Sequence, residues 1–511
     1  MIALSGTALS KVDRQDSIYR ALAAAHPRLV KKDPTIWGPA AATEAAIRLN
    51  WVDLDESSRP LLPVLDAVAA KFRDRDNLVL CGMGGSSLAP EVIAQTFGRK
   101  IFILDSTDPD YLAHALTGSP ENLLVIVSSK SGSTIETASQ RAFFEGHLRN
   151  AKLDPTAHII FVTDPGSPLD LDARAKGFTV INADPNVGGR FSALTAFGLT
   201  PATLMGVDAS VLLDQAGDCR AQLINEPSTV LDVAYLLLTQ NEQYLGFTDF
   251  GSKFPGLSDW VEQLIAESTG KDEIGRLPIA TENFNEATGG GAFSVAFAPG
   301  AELSVSAELG EHFLFWEWVT ALMGAALEVD PFNQPNVTEA KEATSTVLRE
   351  WDNKLPLLLP SATDEGVEIF GDGNTLTAAL KNLIATTDSA GYIAIMAYLD
   401  RKDDVAIAAL RSILSEKSGR PVTFGWGPRF LHSTGQFHKG GQQNGTFLQV
   451  TGANKRNFAI PGRDFDFATL LMAQAVGDFR ALGARKYPLL RLNLLERSAG
   501  ITELIKVAKA L

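Results

Sequence analysis

The chain has 511 residues, 45% of them hydrophobic and 21% charged, with a formal net charge of −15. At roughly 100–200 residues per domain, this length predicts two or three domains sharing buried interfaces. The composition excludes a mainly disordered protein, and the acidic balance excludes a general nucleic-acid binder or a basic membrane-surface protein. An anionic ligand would therefore need its own local positive potential.

Two cysteines, Cys81 and Cys219, cannot form a disulfide framework and match no zinc-ligand spacing. They point to a reducing, cytoplasmic setting. The N-terminus lacks a basic flank followed by a long apolar run, so no signal peptide is expected. Apolar stretches fall short of the ~18 residues of a membrane helix, so no membrane partner is expected either.

Residues 1–75 read as a helical N-terminal extension, with helical periodicity in IYRALAAAHPRLV and LLPVLDAVAAKF, no strand signal, and packing expected against the first sheet. From residue 78 short apolar runs end in turn residues: LVLCGMGG, KIFILDSTD, LLVIVSSKSGS, HIIFVTDPGS and FTVINADP. Helical windows separate them, which predicts a doubly wound, mainly parallel sheet over 76–240, with helices from about 195 to 240. Ligands in such sheets bind beyond the carboxyl ends of the strands. A second alternating region, 241–511, carries YLGFTDFG, AELSVSAE, VEIFGDG, YIAIMAYLD, PVTFGWGP and TFLQVTG, and turns helical from Phe465 onward. Two α/β domains follow from this pattern.

The loop Gly82-Met83-Gly84-Gly85-Ser86-Ser87 follows one strand and opens a helix, so Gly85 and Ser86 suit close approach to an oxyanion. Glycine-rich turns also serve geometry alone, and neither a P-loop nor a complete dinucleotide fingerprint is present. The loop Ser128-Ser129-Lys130-Ser131-Gly132-Ser133-Thr134 is sharper, because one helix cap needs one hydroxyl and not a cluster. Its hydroxyls and the following helix N-terminus suit a phosphate. After FTVIN, Gly189 precedes Arg190, whose rigid, permanent charge can hold a developing oxyanion. In WVEQLIAESTGK, Gln263 and Glu267 lie four apart on one helix face. A carboxylate at that helix end suits a general base. Polar runs at DPFNQPNVTEAK, with Gln334 and Lys341, and at LHSTGQFHKGG, with His432 and His438, complete the candidates; a metal site lacks a third ligand at useful spacing.

In combination these residues resemble the phosphoglucose isomerase family, through SKSGST, VGGRFS, QLIAESTGK and PFNQPNVTEAK. The resemblance spans about 78 to 345 and a piece near 425–450, and is nearest to the isomerase portion of bacterial transaldolase–isomerase fusions, standing here without a transaldolase barrel. It implies two sugar-isomerase (SIS) domains with helical N- and C-terminal extensions, and reversible isomerisation of glucose 6-phosphate and fructose 6-phosphate without cofactor or metal. Glu267 resembles the proton-shuttling base and Arg190 the enediolate holder. Ser129, Lys130, Ser131, Ser133 and Thr134 resemble the phosphate loop, with Gly85, Ser86 and Gly189 beside it; Gln263 and Gln334 resemble substrate contacts and Lys341 the family lysine. His432 best resembles the ring-opening histidine, although the family order of arginine, glutamate, histidine, lysine would favour His312. Many members take that histidine from a partner subunit, which implies a homodimer. The alternatives are a non-catalytic phosphosugar-binding module and an isomerase of mannose 6-phosphate or an amino-sugar phosphate.

Overall fold

The computed structural model describes residues 1–241, 243–284, 286 and 288–511. Among the described residues, sixteen strands form three sheets. The first strand, β1 (Ala3–Ser5), is followed by β2 (Asn77–Cys81), β3 (Phe102–Leu104), β4 (Leu123–Ser128), β5 (Ile159–Thr163) and β6 (Thr179–Asn182). Strands β2 to β6 build an all-parallel sheet in the order β3-β2-β4-β5-β6. Helices cover both faces, so β4 is buried along its whole length and reads as a continuous apolar run.

The second sheet contains β7 (Tyr244–Thr248), β8 (Leu277–Thr281), β9 (Phe293–Ala296) and β10 (Leu303–Ser306) in the order β1-β10-β9-β7-β8. All of its pairs are parallel except β1 with β10. The third contains β11 (Ala362–Asp364), β12 (Val367–Phe370), β13 (Tyr392–Tyr398), β14 (Val422–Trp426), β15 (Gly445–Gly452) and β16 (Leu489–Leu494), ordered β11-β12-β16-β15-β13-β14. Its last four strands are parallel and β11 and β12 antiparallel.

The mainly parallel α/β class agrees with the sequence, with three corrections. Residues 241–511, expected to form one α/β domain, contribute strands to two sheets, the first of them edged by β1; β8 and β9, which join β7 and β10 into a sheet, carry weak strand signals. Pro278 sits in β8, and β8 is an edge strand, the position that tolerates a missing donor. The C-terminal stretch is not wholly helical: β16 lies between the helices Phe467–Ala484 and Arg497–Lys509, its leucines buried against β12 and β15. The N-terminal stretch contributes β1, and its helix Ser17–Val30 packs on the helices Ser228–Thr239 and Leu309–Ala326, not on the first sheet. Helix Leu309–Ala326 is buried from Leu309 to Gly324 and apolar on every side, so it needs helices all around it.

Arginines join the first sheet to the third. Arg497 pairs with Asp108 at 2.6 Å and Asp404 at 3.1 Å, while Arg401 and Arg429 both reach Glu91 at 2.9 Å. This seam brings the turn Arg429–His432 over the carboxyl ends of the first sheet.

Candidate active site

In the first sheet the chain leaves β2 toward β3 on one side and returns to β4 on the other, so the order reverses between β2 and β4. The loops after these two strands open the crevice in which such sheets bind ligands. A pocket of about 170 Å³ occupies it. Met83, Gly84, Gly85 and Ser86 form one wall and Ser128, Ser129, Lys130 and Thr134 the next. Gly189 and Arg190 from the turn Gly189–Phe191, Gln263 and Glu267 from the helix Leu257–Thr269, then Gln334 and His432, close it.

The glycines hold these pieces together. Gly84 has φ +56°, and a Cβ there would lie 2.7 Å from Gln263 Nε2 and 2.8 Å from the His432 carbonyl oxygen. A Cβ on Gly85 would lie 2.0 Å from the Gly189 carbonyl oxygen.

Arg190 is clamped from every side. Its Nε donates to Ser268 Oγ at 2.8 Å, and its terminal nitrogens donate to the Asn333 carbonyl at 2.9 Å and to Gln334 Oε1 at 3.0 Å. Glu267 Oε1 lies 3.3 Å away. Burial pulls the guanidinium below the usual arginine range, while the Glu267 charge opposes this. Gln263 Nε2 donates to Glu267 Oε2 at 3.2 Å and to the His432 carbonyl at 2.8 Å. A buried arginine and carboxylate fixed in this way are costly unless paired, and here they are paired at the pocket wall.

Three buried polar atoms of the lining, Ser128 Oγ, Thr137 Oγ1 and Gln263 Oε1, have no partner among the described residues. Buried polar atoms are normally satisfied, so these three have bonding capacity left for a polar group in the pocket. The helix Ile135–Asn150 starts at Thr134 without a side-chain cap. Its first N–H groups thus face the loop hydroxyls.

Not every expected residue turns its polar end into this pocket, although Lys130 is part of its wall. The Lys130 ammonium pairs with Asp164 at 2.7 Å and donates to the Pro185 carbonyl at 3.2 Å. Burial lowers its proton affinity and Asp164 opposes that shift. Ser131 and Ser133 are exposed and hydrogen-bonded to each other at 2.7 Å. Ser133 and Lys341 line an adjoining pocket of about 210 Å³ with Glu136, Arg463 and the far side of His432.

Glu136 escaped sequence reasoning. It is 3% exposed, and its Oε1 receives His432 Nε2 at 3.0 Å and Gln474 Nε2 at 2.7 Å. Burial works against its charged form, but the His432 contact prevails and holds the carboxyl below the usual glutamate range. An acidic residue in the first turn of a helix signals only a favourable dipole contact, so nothing local foretold this partner. His312 lies elsewhere, its ring 5.1 Å from Phe254 and 5.3 Å from Phe297, both nitrogens unpartnered among the described residues, and burial pushes it down to about 3. His438 meets Tyr392 OH at 2.9 Å in the core. Of the described residues, His114, Asp400 and Asp403 are grouped closely enough to hold a metal, and none of them lines the pocket.

The pocket thus sets a buried carboxylate beside a buried guanidinium, with hydroxyls along one wall and a histidine held by a second carboxylate. The fold is similar to that of glucose-6-phosphate isomerase from Chlamydia trachomatis, at a TM-score of 0.54 and 18% identity, over 69% of this chain and 89% of that one. Over 239 residues the chain is 32% identical to glucose-6-phosphate isomerase from Campylobacter jejuni, covering 43% of this chain and 58% of that protein. It is also 32% identical over 244 residues to glucose-6-phosphate isomerase from Thermus thermophilus, covering 45% of this chain and 57% of that protein. The matched region thus spans little more than half the length of these relatives. No protein-family model matches the chain.

Proposed function

We propose that the protein reversibly isomerises glucose 6-phosphate and fructose 6-phosphate. The observation that carries this reading is the Arg190–Glu267 pair, 3.3 Å apart beside a hydroxyl-rich anion cradle. The phosphate would sit on the Ser128–Thr134 loop and the following helix N-terminus. His432, held by Glu136, would open the sugar ring by moving a proton between the ring oxygen and the C1 hydroxyl. Glu267 would remove the proton next to the carbonyl, Arg190 would hold the enediolate oxygens, and Glu267 would return the proton to the neighbouring carbon. General-base and electrostatic factors of about 10² to 10⁴ each are the expected scale. The curated relatives bear the name of this activity, which supports the assignment.

A purely phosphosugar-binding module would have no need of a buried base beside Arg190. Mannose 6-phosphate and amino-sugar phosphates differ from glucose 6-phosphate at C2, which these contacts constrain less than the phosphate end. The family resemblance implies a homodimer, yet His432 reaches the pocket from the same chain as Glu267. No helix among the described residues is long and apolar enough to cross a membrane. The test is a coupled assay of fructose 6-phosphate and mannose 6-phosphate in parallel, with EDTA present. Conversion of fructose 6-phosphate is expected; conversion of neither sugar would sink the isomerase reading.

A further inference from the structure

The third sheet repeats the topology of the first. From β13 the chain goes to β14 on one side and then to β15 on the other, so its order reverses between β13 and β15. The general rule for open α/β sheets places a ligand crevice at the carboxyl ends of those two strands. A cavity of about 480 Å³ lies there, larger than the pocket that holds Glu267. It is lined by Tyr398 at the end of β13 and by Thr451 to Asn457 at the end of β15. A volume of this order falls in the range of small-molecule sites.

Its lining differs in character from the first crevice. Ala468, Leu471 and Met472 form an apolar floor, with Leu355 exposed at the edge and Thr451, Asn454, Asn457 and Asn493 along the walls. Lys455 and Arg456 stand at the exposed rim, and neither side chain forms an ion pair or hydrogen bond among the described residues. Their backbone N–H groups donate to Asp110 at 2.8 and 2.9 Å, which fixes the loop and leaves the two cations free to face outward. Lys455 acts on the Glu496 carboxylate without a direct contact to it, and two neighbouring cations at one rim stand out in a chain of net charge −15. The Tyr398 hydroxyl is fully buried and has no partner among the described residues. The charges that act on it are Asp478 and Glu136, so it belongs to the core around Glu136 and not to the groups a ligand here would meet.

We propose that this cavity is a second ligand site, for a nucleoside phosphate. The flat base would lie over Leu471 and Met472, and the phosphates would meet Lys455 and Arg456.

The test is calorimetric titration of the full chain with ADP, adenosine and inorganic phosphate in turn. ADP is expected to bind, and adenosine and phosphate each to bind more weakly. The double variant Lys455→Ala/Arg456→Ala, which alters only exposed side chains, should weaken ADP about tenfold or more. Ala468→Trp, which fills the floor, should abolish binding. Absence of ADP binding would overturn the proposal. So would binding that survives both variants but is lost in Arg190→Lys, or phosphate alone binding as tightly as ADP. None of these outcomes depends on whether the chain isomerises sugars.

Discussion

His432 Nε2 lies 3.0 Å from Oε1 of Glu136, a buried carboxylate 296 residues earlier in the chain. The same oxygen receives the Gln474 amide at 2.7 Å, and Thr107 Oγ1 fixes that amide by donating to its oxygen at 2.6 Å. The imidazole is therefore oriented by a chain of hydrogen bonds that starts in the first sheet and includes the helix Phe467–Ala484.

Glu136→Gln keeps the shape and removes the charge. Turnover is expected to fall about 10²-fold, the scale of a mispositioned acid–base group, with little change in KM. A second readout is stability. The carboxyl is held below its ordinary value of 4.5, so its contribution is present above that pH and lost as the pH falls through the lower folded value. The acid side of the melting-temperature curve should be shallower in the variant. An unchanged curve together with unchanged turnover would remove Glu136 from this role.

Much of the first crevice was legible because parallel strands buried on both faces read as apolar runs, and their loops read as polar punctuation. Gly84–Ser86, Ser129, Arg190 and the Gln263–Glu267 helix face were all visible in this way. What escaped depends on distance along the chain or on direction in space. Glu136 needs His432 from the third sheet, and composition cannot say that Lys130 turns toward Asp164. Strands β8 and β16 were hidden by Pro278 and by flanking helices, so the two sheets of 241–511 read as one.

Glu267→Gln should preserve sugar-phosphate binding, since Arg190 keeps its contacts to Ser268 and Gln334. Its turnover should fall by about 10² to 10⁴, the loss typical of removing a general base. Binding can be followed by calorimetry and turnover by the coupled assay. Near-normal turnover would eliminate Glu267 as the base.

Gly85→Ala places a Cβ 2.0 Å from the Gly189 oxygen and 2.4 Å from its carbon, both backbone atoms that cannot rotate away. Overpacking of this kind costs about 1–3 kcal/mol, and here it would also push Arg190 out of register. A lower melting temperature and reduced kcat are expected together. Gly188→Ala, whose Cβ would meet only a Phe191 ring carbon at 3.8 Å, is the control and should melt like the parent.

Glu317 is wholly buried in the helix Leu309–Ala326, and both its oxygens lack a partner among the described residues. Burial raises its carboxyl well above the ordinary 4.5, so the folded chain holds it neutral. The stability linked to that proton is complete below 4.5 and lost progressively as the pH rises toward the folded value. Glu317→Gln should therefore raise the melting temperature, and the gain should grow from pH 5 to pH 8. A gain that is constant or shrinks over that range would show that Glu317 is charged in the fold.

The position of His432 leads to a test of how many chains make one site. His432 and Glu267 line the same pocket within one chain, with the Gln263 amide bridging the His432 carbonyl and the Glu267 carboxylate. If sites were shared between subunits, mixing His432→Ala with Glu267→Ala would rebuild one intact site from two inactive chains. Because each chain here carries both residues in its own pocket, the mixture should remain as inactive as its components after co-refolding. The parent should likewise keep its specific activity on dilution into the monomeric range. Recovered activity in the mixture would show that the histidine acts across an interface and that the site needs a second copy.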